Sequence, residues 1–169
     1  PDAATYLRNS EVFLSTTTLL DPSAFDYNYW VAGYSGFLSL FTSLGDWQLV
    51  AARMGQVVMA LSMAFMAYHL TRYLSEKVAT WTFVAVALSP TLLWFSLVIG
   101  YEVLLGWLIM LSLSLVLLAR DSRCERSMVA ICGLAFSCAL VVQFKVILLL
   151  PLLAYLVWAR LRGNLLVFF

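Results

Sequence analysis

The stretch VATWTFVAVALSPTLLWFSLVIGYEVLLGWLIMLSLSLVLLA, residues 78–119, holds a single charged side chain, Glu102. That residue divides it into uncharged runs of 24 residues (78–101) and 17 residues (103–119). A helix crossing ~30 Å of hydrocarbon needs about 20 apolar residues, with a range of roughly 17–25. Each run therefore has the length of one membrane span, and Glu102 marks where the chain turns and re-enters. Working outward, runs 54–71 and 127–144, of 18 residues each, fit the same measure, while 146–159 is short at 14. Residues 128–159 as one helix would be about 48 Å long at the ~1.5 Å helical rise, with Lys145 near the middle. A tight hairpin of two short helices meeting at Gln143-Phe144-Lys145 is the better reading. The expectation is an all-α, polytopic helical membrane protein. About five transmembrane helices are expected at 47–73, 78–99, 102–119, 127–143 and 145–161. An external segment with short interfacial helices, 1–46, precedes them, and residues 163–169 start a following segment.

Composition points the same way. Hydrophobic residues make up 63% of the 169 and charged residues 11%, with a mean hydropathy of +0.93. Soluble domains run at roughly 45–50% apolar and about 25% charged, so lipid must be the solvent for much of this surface. A net charge of +1 argues against a nucleic-acid partner, which would call for a basic surface. Cys124, Cys132 and Cys138 show neither metal-ligand spacing nor a paired framework.

Charge placement tests the count of spans independently. With five spans, one side collects Arg72, Lys77, Arg120, Arg123, Arg126, Arg160 and Arg162 against Glu76, Asp121 and Glu125. The other collects Arg8, Arg53 and Lys145 against Asp2, Glu11, Asp21, Asp26, Asp46 and Glu102. The basic excess marks the cytoplasmic face. Residues 1–46, Glu102 and Lys145 then lie on the external or lumenal side, in a bacterial inner membrane by preference over an endoplasmic reticulum.

The first fifty residues lack the basic start, apolar core and cleavage site of a targeting peptide. The chain opens on proline rather than methionine, and upstream residues are expected. Asp2–Ser15 can form a helix with Ala3, Leu7 and Leu14 on one side, and Asp21-Pro22-Ser23 is a turn signal. Gly33–Leu44 is apolar, ends at Gly45 and is too short to span, so it suits the interface. Tyr27, Tyr29, Trp30, Tyr34 and Trp47 suit the same boundary. Within the spans, Ser89-Pro90 predicts a kink. Such a kink can open a lipid-facing groove for a polyprenyl chain, although most membrane prolines have no such role. Ala51-x-x-x-Gly55 and Ala60-x-x-x-Ala64 suit close helix packing.

The residues that could carry chemistry come in a definite order. Asp2-x-x-x-Tyr6 leads into Tyr27-Asn28-Tyr29-Trp30-Val31-Ala32-Gly33-Tyr34, then Phe37-Leu38 and Leu44-Gly45-Asp46. Ala51-Ala52-Arg53 opens a span, the Pro90 span follows, then Gly100-Tyr101-Glu102, and last Phe144-Lys145. In this order the chain resembles the GT-C superfamily of membrane glycosyltransferases, in its family-39-like, protein-mannosyltransferase-type branch. The resemblance covers nearly the whole chain and rests on order and spacing. It departs from the family at Ala3, where a second acid often stands, and at Val31-Ala32, where paired prolines stand. With the family's first span also absent, the resemblance implies a fragment or a degenerate copy.

Such enzymes take a sugar from a polyprenyl-phosphate carrier and pass it, with inversion, to a hydroxyl on the external face. The resemblance makes Asp2 the candidate base, because the acceptor must lose a proton as it attacks. An N-cap or first-turn charge is the bland alternative. Glu102 is the second catalytic candidate, to orient the acceptor or help hold a divalent cation beside Asp2; a plain first-turn glutamate is at least as good a reading. No metal or other cofactor is predicted. Lys145 either snorkels to headgroups or meets the carrier's phosphate as a point charge. Arg53 is a weaker phosphate candidate and fits better as an ion pair with Asp46 or Asp2. Tyr6, in the same motif as Asp2, is placed with the substrate. His69 reads as an interfacial histidine. The expected partners are the polyprenyl-phosphate sugar donor, membrane lipids and other membrane proteins. The rival function is a non-catalytic membrane subunit that keeps a GT-C-like scaffold and packs within a larger complex.

Overall fold

The uncharged runs become helices, and the breaks fall where charge, proline or glycine interrupts them. The computed structural model describes residues 2–15, 32–72, 74–118 and 125–161. Among these it is all-helical, with no strand. The expected turn at Asp21-Pro22-Ser23, the aromatic stretch 27–31, the Arg120–Arg123 part of the charged loop and residues 163–169 lie outside the described residues.

Helix α1 spans Asp2–Ser15 and α2 spans Ala32–Ser39. A 3-10 helix, Thr42–Trp47, leads straight into α3, Gln48–Thr71. The corner between α2 and α3 turns on Gly45, at φ 54° and ψ −123°, backbone angles that glycine adopts without a Cβ penalty. Helix α4, Glu76–Ala87, starts on Ser75, whose hydroxyl accepts from the Val78 N–H at 3.1 Å, an N-cap bond. Helix α5 is Pro90–Leu97, α6 Glu102–Leu118 and α7 Glu125–Val142. A second 3-10 helix, Phe144–Leu149, runs into α8, Leu150–Leu161.

Pro90 cannot donate to the helical ladder, so α4 ends at Ala87 and α5 starts afresh with Ser89 as its cap. The two helices meet at 42°. Among the described residues, Thr42–Thr71 is long and apolar enough to cross a membrane, and the bent α4–α5 pair passes the same test together. Glu102–Leu117, Ser127–Val142 and Phe144–Ala159 are apolar but shorter.

Helix α3 lies at the centre, packed on α4, α5 and α6, while α6 also packs on α7 and α8. Ala60, Ala64 and Ala67 on α3 are buried. Between α3 and α6 the Trp107 indole N–H donates to the Ser62 hydroxyl at 2.7 Å. Helices α1 and α2 pack on each other, and α2 rests on α7. Gly33 makes that seat possible: a Cβ there would lie 2.7 Å from the Val142 backbone nitrogen. Helix α1 has the expected bounds, and of the side expected to carry Ala3, Leu7 and Leu14, the side chains of Ala3 and Leu14 lie outside the described residues. Tyr6, Asn9 and Ser10 are buried and Leu7 only partly so, because the surface that α1 meets carries polar partners. The Gln48 side-chain amide, for instance, donates to the Ser10 hydroxyl at 3.2 Å and to the Leu38 carbonyl at 3.4 Å.

Candidate functional site

The bundle end bearing α1 and α2 gathers the polar side chains. Gln56, two turns into α3, has no exposed surface. Its Nε2 donates to the Tyr34 hydroxyl at 2.9 Å and to the Gly100 carbonyl at 2.9 Å. This one amide therefore ties α2 and the turn before α6 to the central helix. Tyr34 is also fully buried and meets the Tyr6 ring edge-on, with centroids 5.0 Å apart at 81°. Burial pushes the Tyr34 hydroxyl above its ordinary range; hydrogen bonding with the Gly100 backbone opposes this, and the charge of Glu102 adds to it. The phenol is neutral at physiological pH and serves as a hydrogen-bonding group.

Glu102 is the first residue of α6, and its carboxylate folds back over Gly100, where an added Cβ would collide with it. A methyl group at Gly100 would push that flexible carboxylate aside. Glu102 itself is exposed. It also lines an open, mostly apolar groove of about 470 Å³ that runs between α3, the α4–α5 bend and α6. Met63, Ser89, Leu92, Phe95 and Met110 form much of its wall. Among the described lining residues Glu102 is the ionisable one. A second cleft, about 480 Å³, opens between α2, α6 and α7 beside Phe37, Leu108 and Cys138.

The proposed site residues are placed as follows. Tyr6 and Glu102 converge on Tyr34. Asp2 opens α1, one helical turn before Tyr6, and its side chain lies outside the described residues. Arg53 is exposed, and so is Asp46, and no ion pair joins them. The expected Arg53–Asp46 pair is therefore corrected: Asp46 lies in the 3-10 helix before α3 and Arg53 in the second turn of α3, both exposed. An exposed ion pair gains little over hydration of its two charges. Lys145 is exposed in the second 3-10 helix. Its neighbour Gln143 donates to the Tyr101 hydroxyl at 3.2 Å, fastening the end of α7 to the start of α6. Among the described residues no group of three or more His, Cys, Asp or Glu could hold a metal ion.

Sequence reasoning passed over Gln56. The available signal was an amide inside the uncharged run 54–71, since a polar side chain within a span is costly unless it finds a partner. No family model, curated protein or solved structure matches the chain.

Proposed function

We propose that the chain is a polytopic membrane protein acting as a GT-C-like glycosyltransferase. It would move a sugar from a polyprenyl-phosphate carrier to a hydroxyl acceptor on the external membrane face. The observation that carries this reading is Glu102. A carboxylate lines a mostly apolar groove, and its charge acts on the buried Tyr34 hydroxyl, whose ring meets Tyr6. An enzyme working on a membrane-embedded substrate needs a wall for an apolar chain and, at its end, a group that can take a proton from the attacking hydroxyl. Asp2 and Glu102 share that role between them: one accepts the proton, the other orients the acceptor. The leaving phosphate needs cationic stabilisation, and the exposed Lys145 and Arg53 are the candidates to supply it. Residues 1–46 are external, most simply outside a bacterial inner membrane, with lipids as the surrounding partners.

A non-catalytic subunit on the same scaffold is the second reading. It is favoured by the Gln56–Tyr34–Gly100 bonds, which suit a structural lock. The test is sugar transfer by the full chain in membranes with a panel of polyprenyl-phosphate sugars, for wild type, Asp2→Asn and Glu102→Gln. Turnover that falls by about 10²-fold or more in either variant, at equal abundance and helicity, supports the enzyme. No turnover with any donor, from a folded protein that co-purifies with other membrane proteins, supports the subunit.

A further inference from the structure

We infer that the groove under the Ser89–Pro90 bend takes the chain of a lipid acceptor with a hydroxyl head, not the polyprenyl chain of the phosphate donor. The inference rests on the transferase reading and deepens it. The groove is walled by both arms of the bend and by α3 and α6, and its lining is mostly apolar, with the hydroxyls of Ser89 and Thr91 among Ala67, Ala85, Val86, Leu92 and Phe95. An extended apolar chain fits such a wall, and about 470 Å³ is within the roughly 300–1,000 Å³ of pockets that hold small ligands.

Charge decides which chain it is. The groove's lining carries Glu102, and among the described lining residues there is no lysine or arginine to offset it. A phosphate on a chain lying in this groove would face the like charge of Glu102. Arg53 and Lys145, the cations that suit a phosphate, lie outside the lining. A hydroxyl meets the opposite situation. It donates to the carboxylate in a charge-assisted bond, and that same proton must leave during transfer. In the step, the acceptor oxygen bonds to the anomeric carbon as the bond from that carbon to the phosphate oxygen breaks. The bonding pair leaves on the phosphate, and the proton passes to Glu102.

The experiment uses the full chain in phospholipid nanodiscs, with diazirine-bearing hexadecanol and hexadecyl phosphate at equal concentration. Crosslinks are mapped by mass spectrometry. Hexadecanol is expected to label Leu92, Phe95 or Met110 at least tenfold more than hexadecyl phosphate. Val86→Trp, or Ala85→Trp if the first variant fails to fold, fills the groove and should abolish the labelling. Glu102→Gln should shrink the preference to less than threefold. Equal or stronger labelling by the phosphate overturns the inference, as does labelling that survives the tryptophan or a preference unchanged in Glu102→Gln. A parallel transfer assay separates the two claims. Turnover together with phosphate in the groove keeps the transferase and removes the inference. Selective hexadecanol labelling with no turnover on any donor removes the acceptor role and the transferase together, leaving a head-group preference alone.

Discussion

Gln56 shows how much one side chain can decide in a chain this apolar. Its two amide hydrogens go to partners 22 and 44 residues away, Tyr34 and Gly100. Neither partner has water at hand, because Tyr34 and Gly100 are both buried. Gln56→Leu should therefore lose two bonds and leave the Gly100 carbonyl without this donor, a destabilisation of about 2 kcal/mol or more. Unfolding of the purified protein in detergent measures it; a change under half of that would mean that the node is not a fastening point. Tyr34→Phe keeps the ring contact with Tyr6 and removes only the hydroxyl, so it should cost less than Gln56→Leu in the same assay. Tyr34 also carries a pH signature. Burial raises its folded-state pKa above the value in the unfolded chain, where tyrosine titrates near ~10. The contribution to stability is thus fully present below about pH 10 and is lost as pH rises from there toward the folded value. Alkaline unfolding curves should be flatter above that point in Tyr34→Phe than in wild type.

Among the elements, α2 is held by its closeness to α7 more than by its own helix propensity. It spans eight residues, far below the ~12–15 at which isolated helices become marginal in water, and it contains Gly33 and Gly36. What keeps it helical is packing, and the tightest contact is Gly33 against the Val141–Val142 backbone. A methyl group there would press on backbone atoms that cannot move without shifting α7. Gly33→Ala is expected to destabilise by about 1–3 kcal/mol, as overpacking does, and to loosen α1 with α2; hydrogen exchange over residues 4–11 would report it. The α3–α6 contact can be read the same way. The bond from Trp107 to Ser62 should show a coupling of about 0.6 kcal/mol, and at most about 1.7, in a Trp107→Phe, Ser62→Ala double-mutant cycle, the range for hydrogen bonds inside membrane bundles.

At the scale of the molecule, local signals were legible in the sequence and distant contacts were not. Ser89-Pro90 foretold a kink because proline acts on its own turn, and the charged residues at 72–77 and Glu102 foretold ends because charge cannot follow a helix into lipid. The Tyr34–Gln56–Gly100 node and the Gly33 seat join residues far apart in the chain, and no periodicity records such a meeting. Nor could spacing show that Tyr6 meets Tyr34 edge-on, or that Arg53 and Lys145 lie outside the lining of the groove that Glu102 joins. Topology is where the reading is most exposed. Helix α6 has 17 residues and α7 has 18, about 26 and 27 Å at ~1.5 Å per residue, against a hydrocarbon thickness of ~27–33 Å. They cross only if they stand nearly upright or the bilayer thins, whereas α3, with 24 residues, must tilt. Single cysteines in a background without Cys124, Cys132 and Cys138 give the test, with an impermeant maleimide added from outside. Asp46→Cys and Lys145→Cys should react in intact cells, and Lys77→Cys and Ser127→Cys only after permeabilisation. Ser127 is the deciding position, since it lies on the inner side only if α6 crosses. If Ser127→Cys reacts from outside, α6 does not cross, the five-span arrangement fails, and Glu102 loses its place at a point of re-entry into the membrane.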